Sequence, residues 1–346
     1  VLDDMNASTR LGGFKILNEV VWISVIQPKG HKFPMALSNL MASKKLNLPF
    51  MTCGEQNRAW GLNFVVDAQV EKKTLGLIEK KFGDINLTTT KGAILSVFPH
   101  RSKPEIIGSL FDVLGKLGDQ PIAFANSPSA ISAVLSKDVT NEATSALFGP
   151  FRFGPYRTPA DWKLAQKGKE ELYKEVVASY QEKKPKVYGL EWQDKQKLLH
   201  VKLDSANLST MGTVFKNFAR LGVVFTFLIS RPSKEKGKGN LFFCLPESEK
   251  NDYTGMIEKL LPEASTLEDS SVASFSMNGP HFGDRYGIIS ELLMALDQAQ
   301  VNLLGLSCSI HSITGVLPAY QIHSAIKAIQ GCFEVPTVIK KTHSQS

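Results

Sequence analysis

The stretch that decides the reading is Ser274–Pro336, SFSMNGPHFGDRYGIISELLMALDQAQVNLLGLSCSIHSITGVLPAYQIHSAIKAIQGCFEVP. Val272–Met277 is apolar and partly β-branched, which reads as a strand. Gly287–Leu296 follows, with Ile288, Leu292 and Leu296 on one helical stripe. Val301–Leu306 and Ile313–Leu317 read as two more strands. Ser324–Ile329 opens a second helix, and Val335–Lys340 closes the unit as a strand. The order is β-α-β-β-α-β.

The same order recurs toward the N-terminus, so the chain reads as an array of repeats. The first copy runs from Val20–Gln27 through the helices Phe33–Leu46 and Glu71–Phe82 to Ile85–Thr90. The second has the strand Ala93–Pro99, the helix Pro104–Leu117, two strands at Ile122–Ala125 and Ile131–Leu135, and a short helix at Asn141–Phe148. The third has Leu198–Leu203, the helix Ser209–Leu221, strands at Val223–Ile229 and Leu241–Leu245, and the helix Tyr253–Leu261. The expected fold class is α+β: four tandem ferredoxin-like βαββαβ units arranged as two pairs. Such a unit leaves one sheet face and its edges uncovered, which drives the pairing. The expected boundaries are 15–91, 92–153, 188–268 and 269–341. A helical connector fills 154–187, with Asp161 or Thr158 as its cap and Pro185 as its stop. Val187–Trp192 adds a further short strand.

The fourth copy resembles the ACT domains at the regulatory end of aspartokinases. The residues that carry this are Asp284-Arg285-Tyr286-Gly287-Ile288, Val301–Leu306, Ser309–Thr314 and Phe333-Glu334. The second copy fits through Ser96–Pro104, Ile122–Asn126 and Ser129–Val134. Copies one and three match less of the pattern. Each copy also keeps at most half of the Pro-Gly pair that the family places at the helix start. The resemblance implies small regulatory units that bind amino acids, often as dimers. No kinase segment is expected, because the first unit begins by Val20 and no G-x-G-x-x-G or Walker-type loop is seen. The sequence therefore points to a non-catalytic protein sensing an amino acid where units meet. By analogy with aspartokinase the ligand is lysine or threonine. The expected partner is a second copy or an enzyme. The competing expectation is a scaffold, or a regulatory partner subunit of an amino-acid biosynthetic enzyme, that binds no metabolite.

In such a unit the loop from the first strand to the first helix exposes backbone N–H groups at a helix N-terminus, which suits a carboxylate. In the fourth copy Gly279, Gly283 and Gly287 allow close backbone approach. Asn278 and Asp284 can accept from an ammonium group, and His281 and Arg285 suit an anion. Ser307, Ser309, Ser312 and Thr314 would line the remainder. In the second copy His100 and Arg101 face Asn126, Ser129 and Ser132. The competing reading is structural: Asp284 caps the helix for about 1 kcal/mol and the glycines make turns.

Composition bounds the rest. The 346 residues are 43% hydrophobic and 21% charged, ordinary values for folded domains. The formal charge of +7 invites a nucleic-acid reading. Its basic run, Lys234–Gly239, lacks interleaved aromatics and reads as a solvated loop, so nucleic acid is not an expected partner. Cys53, Cys244, Cys308 and Cys332 are far apart without C-x-x-C spacing, which favours reduced buried thiols over a metal site. No cofactor, no metal and no catalytic residue is expected; the His281/Asp284 pair lacks a nucleophile. No apolar run approaches the ~20 residues of a bilayer span, and no leader is seen, so a cytoplasmic protein is expected.

Overall fold

The computed structural model describes residues 9–28, 32–99, 103–118, 123–154, 156–166, 184–235, 238–279, 282, 285–310 and 312–342. The strands are β1 (Thr9–Leu11), β2 (Gly13–Pro28), β3 (Phe50–Gln56), β4 (Ala59–Asp67), β5 (Leu87–Phe98), β6 (Ala123–Asn126), β7 (Ile131–Ser136), β8 (Phe151–Phe153), β9 (Gly189–Asp204), β10 (Leu228–Arg231), β11 (Lys238–Pro246), β12 (Ser265–Asn278), β13 (Gly305–Cys308), β14 (Ser312–Pro318) and β15 (Val338–Lys340). The helices are α1 (Phe33–Ser43), α2 (Glu71–Phe82), α3 (Pro104–Gly115), α4 (Thr140–Ala146), α5 (Pro159–Gln166), α6 (Leu208–Arg220), α7 (Tyr253–Leu260), α8 (Ile288–Gln298) and α9 (Ile322–Cys332).

Four strands are longer than one unit requires. β2, β5, β9 and β12 each serve two ladders. β2 pairs with β4 through residues 20–28 and with β5 along most of its length. β9 pairs with β11 through residues 196–204 and with β15 through 190–192. Three of the four bend at a non-glycine residue in the left-handed region: Glu19 (φ 54°), Lys195 (φ 54°) and Ser271 (φ 56°). Register shifts mark the same places in β2 and β12. Each left-handed residue costs about 1–2 kcal/mol, repaid by ladders on both sides of the bend.

These bends turn one ladder into two facing layers. The first layer runs β5–β2–β4–β3–β13–β14–β12–β9–β15, and the second β12–β9–β11–β10–β6–β7–β5–β2. The fold is thus α+β with one large sheet folded back on itself. α1, α2, α8 and α9 cover the first layer through Leu37, Ile78, Leu292 and Ile329. α3, α4, α6 and α7 cover the second through Leu110, Ala143, Phe215 and Ile257. Between the layers lie Val20, Phe50, Val65 and Ile94 on one side of the seam and Leu198, Phe227, Ile229 and Phe242 on the other.

A row of glycines sets how closely the layers meet. Gly61, Gly54 and Gly305 are register partners across β4, β3 and β13. A Cβ on Gly61 would lie 2.5 Å from Arg231 Cγ, one on Gly54 2.7 Å from the Phe242 ring, and one on Gly305 2.8 Å from the Phe227 ring. The bare trough accepts three large side chains of the opposite layer, a packing that any Cβ would break. Beside it, Asn63 holds a buried polar network. Its Nδ2 donates to Thr52 Oγ1 (3.2 Å) and the Ser230 carbonyl (3.0 Å), and its Oδ1 accepts from Trp22 Nε1 (3.1 Å) and Ser24 Oγ (2.9 Å).

The element order β-α-β-β-α-β is present four times, but several sequence readings shift. Residues 85–90 and 93–99, read as separate strands, form the single β5. Val187–Trp192 and Leu198–Leu203 likewise form one β9. The strand expected at Val223–Ile229 begins only at Leu228, and that expected at Val301–Leu306 only at Gly305. Val223, Val301 and Leu303 are apolar because they pack into cores, not because they pair. β1 and β8, parallel partners, were absent from the sequence reading. At the start of α5, Asp161 and Thr158 act together. Asp161 Oδ2 accepts from the Thr158 (3.0 Å) and Arg157 (3.1 Å) amides, and Thr158 Oγ1 accepts from the Asp161 amide (3.2 Å). Hydrogen bonds from Thr158 hold the Asp161 carboxyl below its ordinary range. The remainder of the expected connector helix falls outside the described residues.

Candidate functional site

The site is built where distant parts of the chain share the first layer. β3 and β13 pair antiparallel, Gly54 with Gly305 through Met51 with Cys308. On the helix-covered face above this seam, α1 and α8 run antiparallel. Lys32 at the start of α1 reaches Asp297 near the end of α8 at 2.6 Å. Near the middle, Ser290 Oγ hydrogen-bonds Asn39 Oδ1. Leu37 and Met41 of α1 and Ile289 and Leu292 of α8 share the buried core beneath. A small cleft remains between them, lined by Ser38, Met41, Ala42, Phe282, Arg285 and Ser290 among others.

The polar end of the cleft is the start of α8. Gly287 is its N-cap at φ 91°, a conformation that favours glycine, and it has no side chain with which to cap the helix. First-turn N–H groups of a helix lack intrahelical partners and carry partial positive charge. Arg285, largely buried, adds a full charge. Its Nη2 lies 3.4 Å from Glu291 Oε1, a long contact in which the guanidinium is not saturated by the bidentate geometry that arginine and carboxylate prefer. Burial pushes the Glu291 carboxyl above its ordinary range, against the opposing pull of Arg285. Met41, Leu46, Leu48 and Phe282 supply the apolar wall. The arrangement gathers positive charge at the end of a cleft whose free volume of about 10 Å³ holds about one water, so a larger carboxylate would enter only where α1 and α8 part.

The expected site residues divide. Arg285 and Gly287 line the cleft. Asn278 and Gly279 end β12 just before the loop; the Asn278 carbonyl accepts from the Tyr188 amide, and its Oδ1 is buried without a hydrogen bond. A Cβ on Gly279 would lie 2.6 Å from the Phe282 ring, so this glycine seats the cleft's aromatic wall. His281, Gly283 and Asp284 lie outside the described residues, as do His100 and Arg101 in the second copy. Ser307 and Thr314 turn the other way. They share one face with Ser276, Thr52 and Asn63 through direct register partnership, and this face meets the second layer. Ser307 Oγ donates to the Asn126 carbonyl (3.2 Å) of that layer. Ser309 and Ser312 bond each other in a buried turn. Asn126 accepts the Leu228 amide through Oδ1, Ser132 bonds Ser96 (2.7 Å), and Ser129 bonds Ser127 (3.4 Å). These serines and Asn126 hold strands together rather than facing the cleft.

The sequence reading missed Ser38, Asn39, Ala42 and Asn47, which α1 and its following turn bring to the cleft. The available signal was the spacing of Ser38 and Ala42, two small residues one turn apart on an otherwise bulky helix. The thiols of Cys53 and Cys308 are buried and pushed up to about 12, and that of the half-buried Cys332 to about 11. Burial is the chief cause in each, and thiols so placed are unreactive. Among the described residues no group of His, Cys, Asp and Glu could hold a metal ion, and no helix is long and apolar enough to cross a membrane.

The fold has a known counterpart. An aspartate kinase from Synechocystis superposes with a TM-score of 0.75 over 97% of this chain, at 14% sequence identity. This chain spans 58% of the length of that enzyme. The regulatory subunit of aspartate kinase from Thermus thermophilus covers only 42% of this chain, with a TM-score of 0.37 and 15% identity. Aspartokinase III from E. coli, in complex with aspartate and ADP, covers 44% with a TM-score of 0.34 and 14% identity. No family model matches the chain, and no curated protein matches its sequence.

Two expectations are corrected by these findings. The expectation of a stand-alone, kinase-less regulatory protein is overturned by a likeness to an aspartate kinase that runs through 97% of the chain. The non-enzyme expectation is overturned by the same finding, since the fold is shared with part of an aspartate kinase.

Proposed function

We propose that this chain belongs to an aspartate-kinase-like enzyme, working in the cytoplasm, whose activity is controlled by an amino acid bound in the α1–α8 cleft. The observation that carries the reading is the match to an aspartate kinase over 97% of the chain. The four β-α-β-β-α-β stretches are then ACT-like units, at about 15–91, 92–153, 188–268 and 269–341, and residues 154–187 are the connector. They associate first with fourth and second with third. In the cleft the ligand carboxylate meets Arg285 and the α8 N-terminus, and the chain around Asn278 receives the ammonium group. Lysine or threonine is the natural first ligand to try, and a second copy of the chain the natural partner. Binding controls activity only to the extent that the ligand favours one arrangement of α1 against α8 over another.

The test is aspartate-dependent formation of ADP from ATP by the purified protein, with and without each amino acid. Turnover that requires aspartate and changes with one amino acid is expected, and Arg285→Gln should abolish that response while turnover persists. Aspartate-independent ATP loss, or turnover indifferent to every amino acid, would remove the reading.

A further inference from the structure

His200 is a titratable group that the proposed site does not use. It lies on β9 in the second layer, 6% exposed, its ring stacked on Phe242 with 4.0 Å between centroids. Phe242 in turn fills the trough at Gly54. Nε2 of His200 lies 3.0 Å from Asp269 Oδ2, yet neither ring nitrogen has a well-aligned hydrogen bond. Arg231, at the end of β10 and 8% exposed, spans the layers and meets the same Gly54 that the Phe242 ring fills. Its Nε donates to the Gly54 carbonyl (3.1 Å) and its Nη2 to the Ala59 carbonyl (3.2 Å). One guanidinium therefore grips both strands of the β3–β4 hairpin. A third bond, from Nη1 to the Pro232 carbonyl (3.4 Å), ties it to its own strand end.

The charges facing His200 come from three elements: Asp269 on β12, Arg231 on β10 and Glu55 on β3. Burial keeps the imidazole below its ordinary range, against Asp269, which draws a proton toward it. Burial also brings Arg231 down to about 10, with Glu55 opposing. Burial thus disfavours the cationic form of both groups.

We propose that His200 and Arg231 form a proton-operated latch between the two layers: a proton taken up by His200 sets a second cation beside the buried guanidinium, and Arg231 then releases the β3–β4 hairpin. The hairpin matters because Gly54 pairs with Gly305, so the strand that Arg231 grips is one side of the β3–β13 seam beneath the α1–α8 cleft. The latch stands on its own geometry; a resulting loss of ligand affinity at low pH rests on the amino-acid reading of that cleft.

The sign follows from the neutral form being the one the closed state holds. Closure is complete above the ordinary imidazole range and weakens as pH falls through it, because the open state binds the extra proton. Amide hydrogen exchange of the full chain without ligand, corrected for intrinsic exchange, reads this directly. Protection of residues 54–61 should fall about tenfold between pH 7 and pH 5, while that of β7 stays constant. In His200→Asn the fall should vanish. In Asp269→Asn it should deepen, since the closed state loses the carboxylate that favours its imidazolium while the open state keeps an ordinary imidazole. In Arg231→Met the hairpin should be poorly protected at every pH. A pH-independent hairpin in the wild type, an unchanged fall in His200→Asn, or full protection in Arg231→Met would each overturn the latch. Because no amino acid is present, these outcomes are independent of whether the cleft binds one.

Discussion

The two helix pairs that join distant parts of the chain are built to opposite plans. In the second layer α3 and α6 touch backbone to backbone. A Cβ on Gly108 would lie 2.5 Å from the Gly212 carbonyl oxygen, and one on Gly212 2.6 Å from that of Gly108. Asp112 pairs with Lys216 and accepts a hydrogen bond from Ser209 (3.1 Å) across the same contact. The strands below contribute little, with Ile229 and Ala125 as the register partners of β10 and β6. In the first layer the strands carry the joint, through four register pairs of β3 with β13, and α1 and α8 meet through side chains around a small cleft rather than backbone to backbone. A closed helix pair gives a permanent joint. An open pair over a continuous sheet can change its spacing without unpairing strands, which is what a ligand-responsive site requires. On the proposed reading, α1–α8 is the binding joint and α3–α6 the anchor.

The largest effect that could break this comparison is at Gly212. Gly212→Val should push α3 from α6 and destabilise the protein by about 3 kcal/mol or more in urea unfolding, because carbonyl oxygens cannot yield as side chains do. The matching change across the cleft, Ala42→Val, adds two methyl groups at a half-buried side-chain contact that can yield and should cost less than about 1 kcal/mol. Equal losses would show that both joints are closed. A smaller effect sharpens the same contrast. Asp112→Asn should cost about 1 kcal/mol, since the pair with Lys216 is partly exposed and screened. Most of that loss should disappear in 1 M salt, measured by the same unfolding curves.

Much of the first level of structure was readable. The apolar stripes of α2, α6 and α8 lie on the faces that the cores bury, because periodicity reports burial directly. The strand bends were not readable, since Glu19, Lys195 and Ser271 are residues that normally avoid the left-handed region, and only the ladders on either side force them into it. The partnership of units was not readable either, because it joins residues some 250 positions apart, such as Cys53 beside Leu306. One clue was available: Gly108 and Gly212 sit inside apolar helices, where glycine costs about 1 kcal/mol against alanine and marks a close approach. At the candidate site, Arg285 and Gly287 line the cleft because a loop enters a helix there, whereas Ser307 and Thr314 face the second layer, and alternation along a strand shows that two faces exist but not which one the helices cover.

The central claim is that an amino acid binds between α1 and α8. Calorimetric titration of lysine, threonine and the other amino acids into the wild type and into Ala42→Phe tests it most directly. Binding of at least one amino acid to the wild type is expected. The phenyl ring should occupy the cleft and weaken that binding at least a hundredfold, or about 2.7 kcal/mol, while Gly108 and Gly212 keep the second joint closed. Undiminished binding to Ala42→Phe would place the ligand elsewhere and contradict the account.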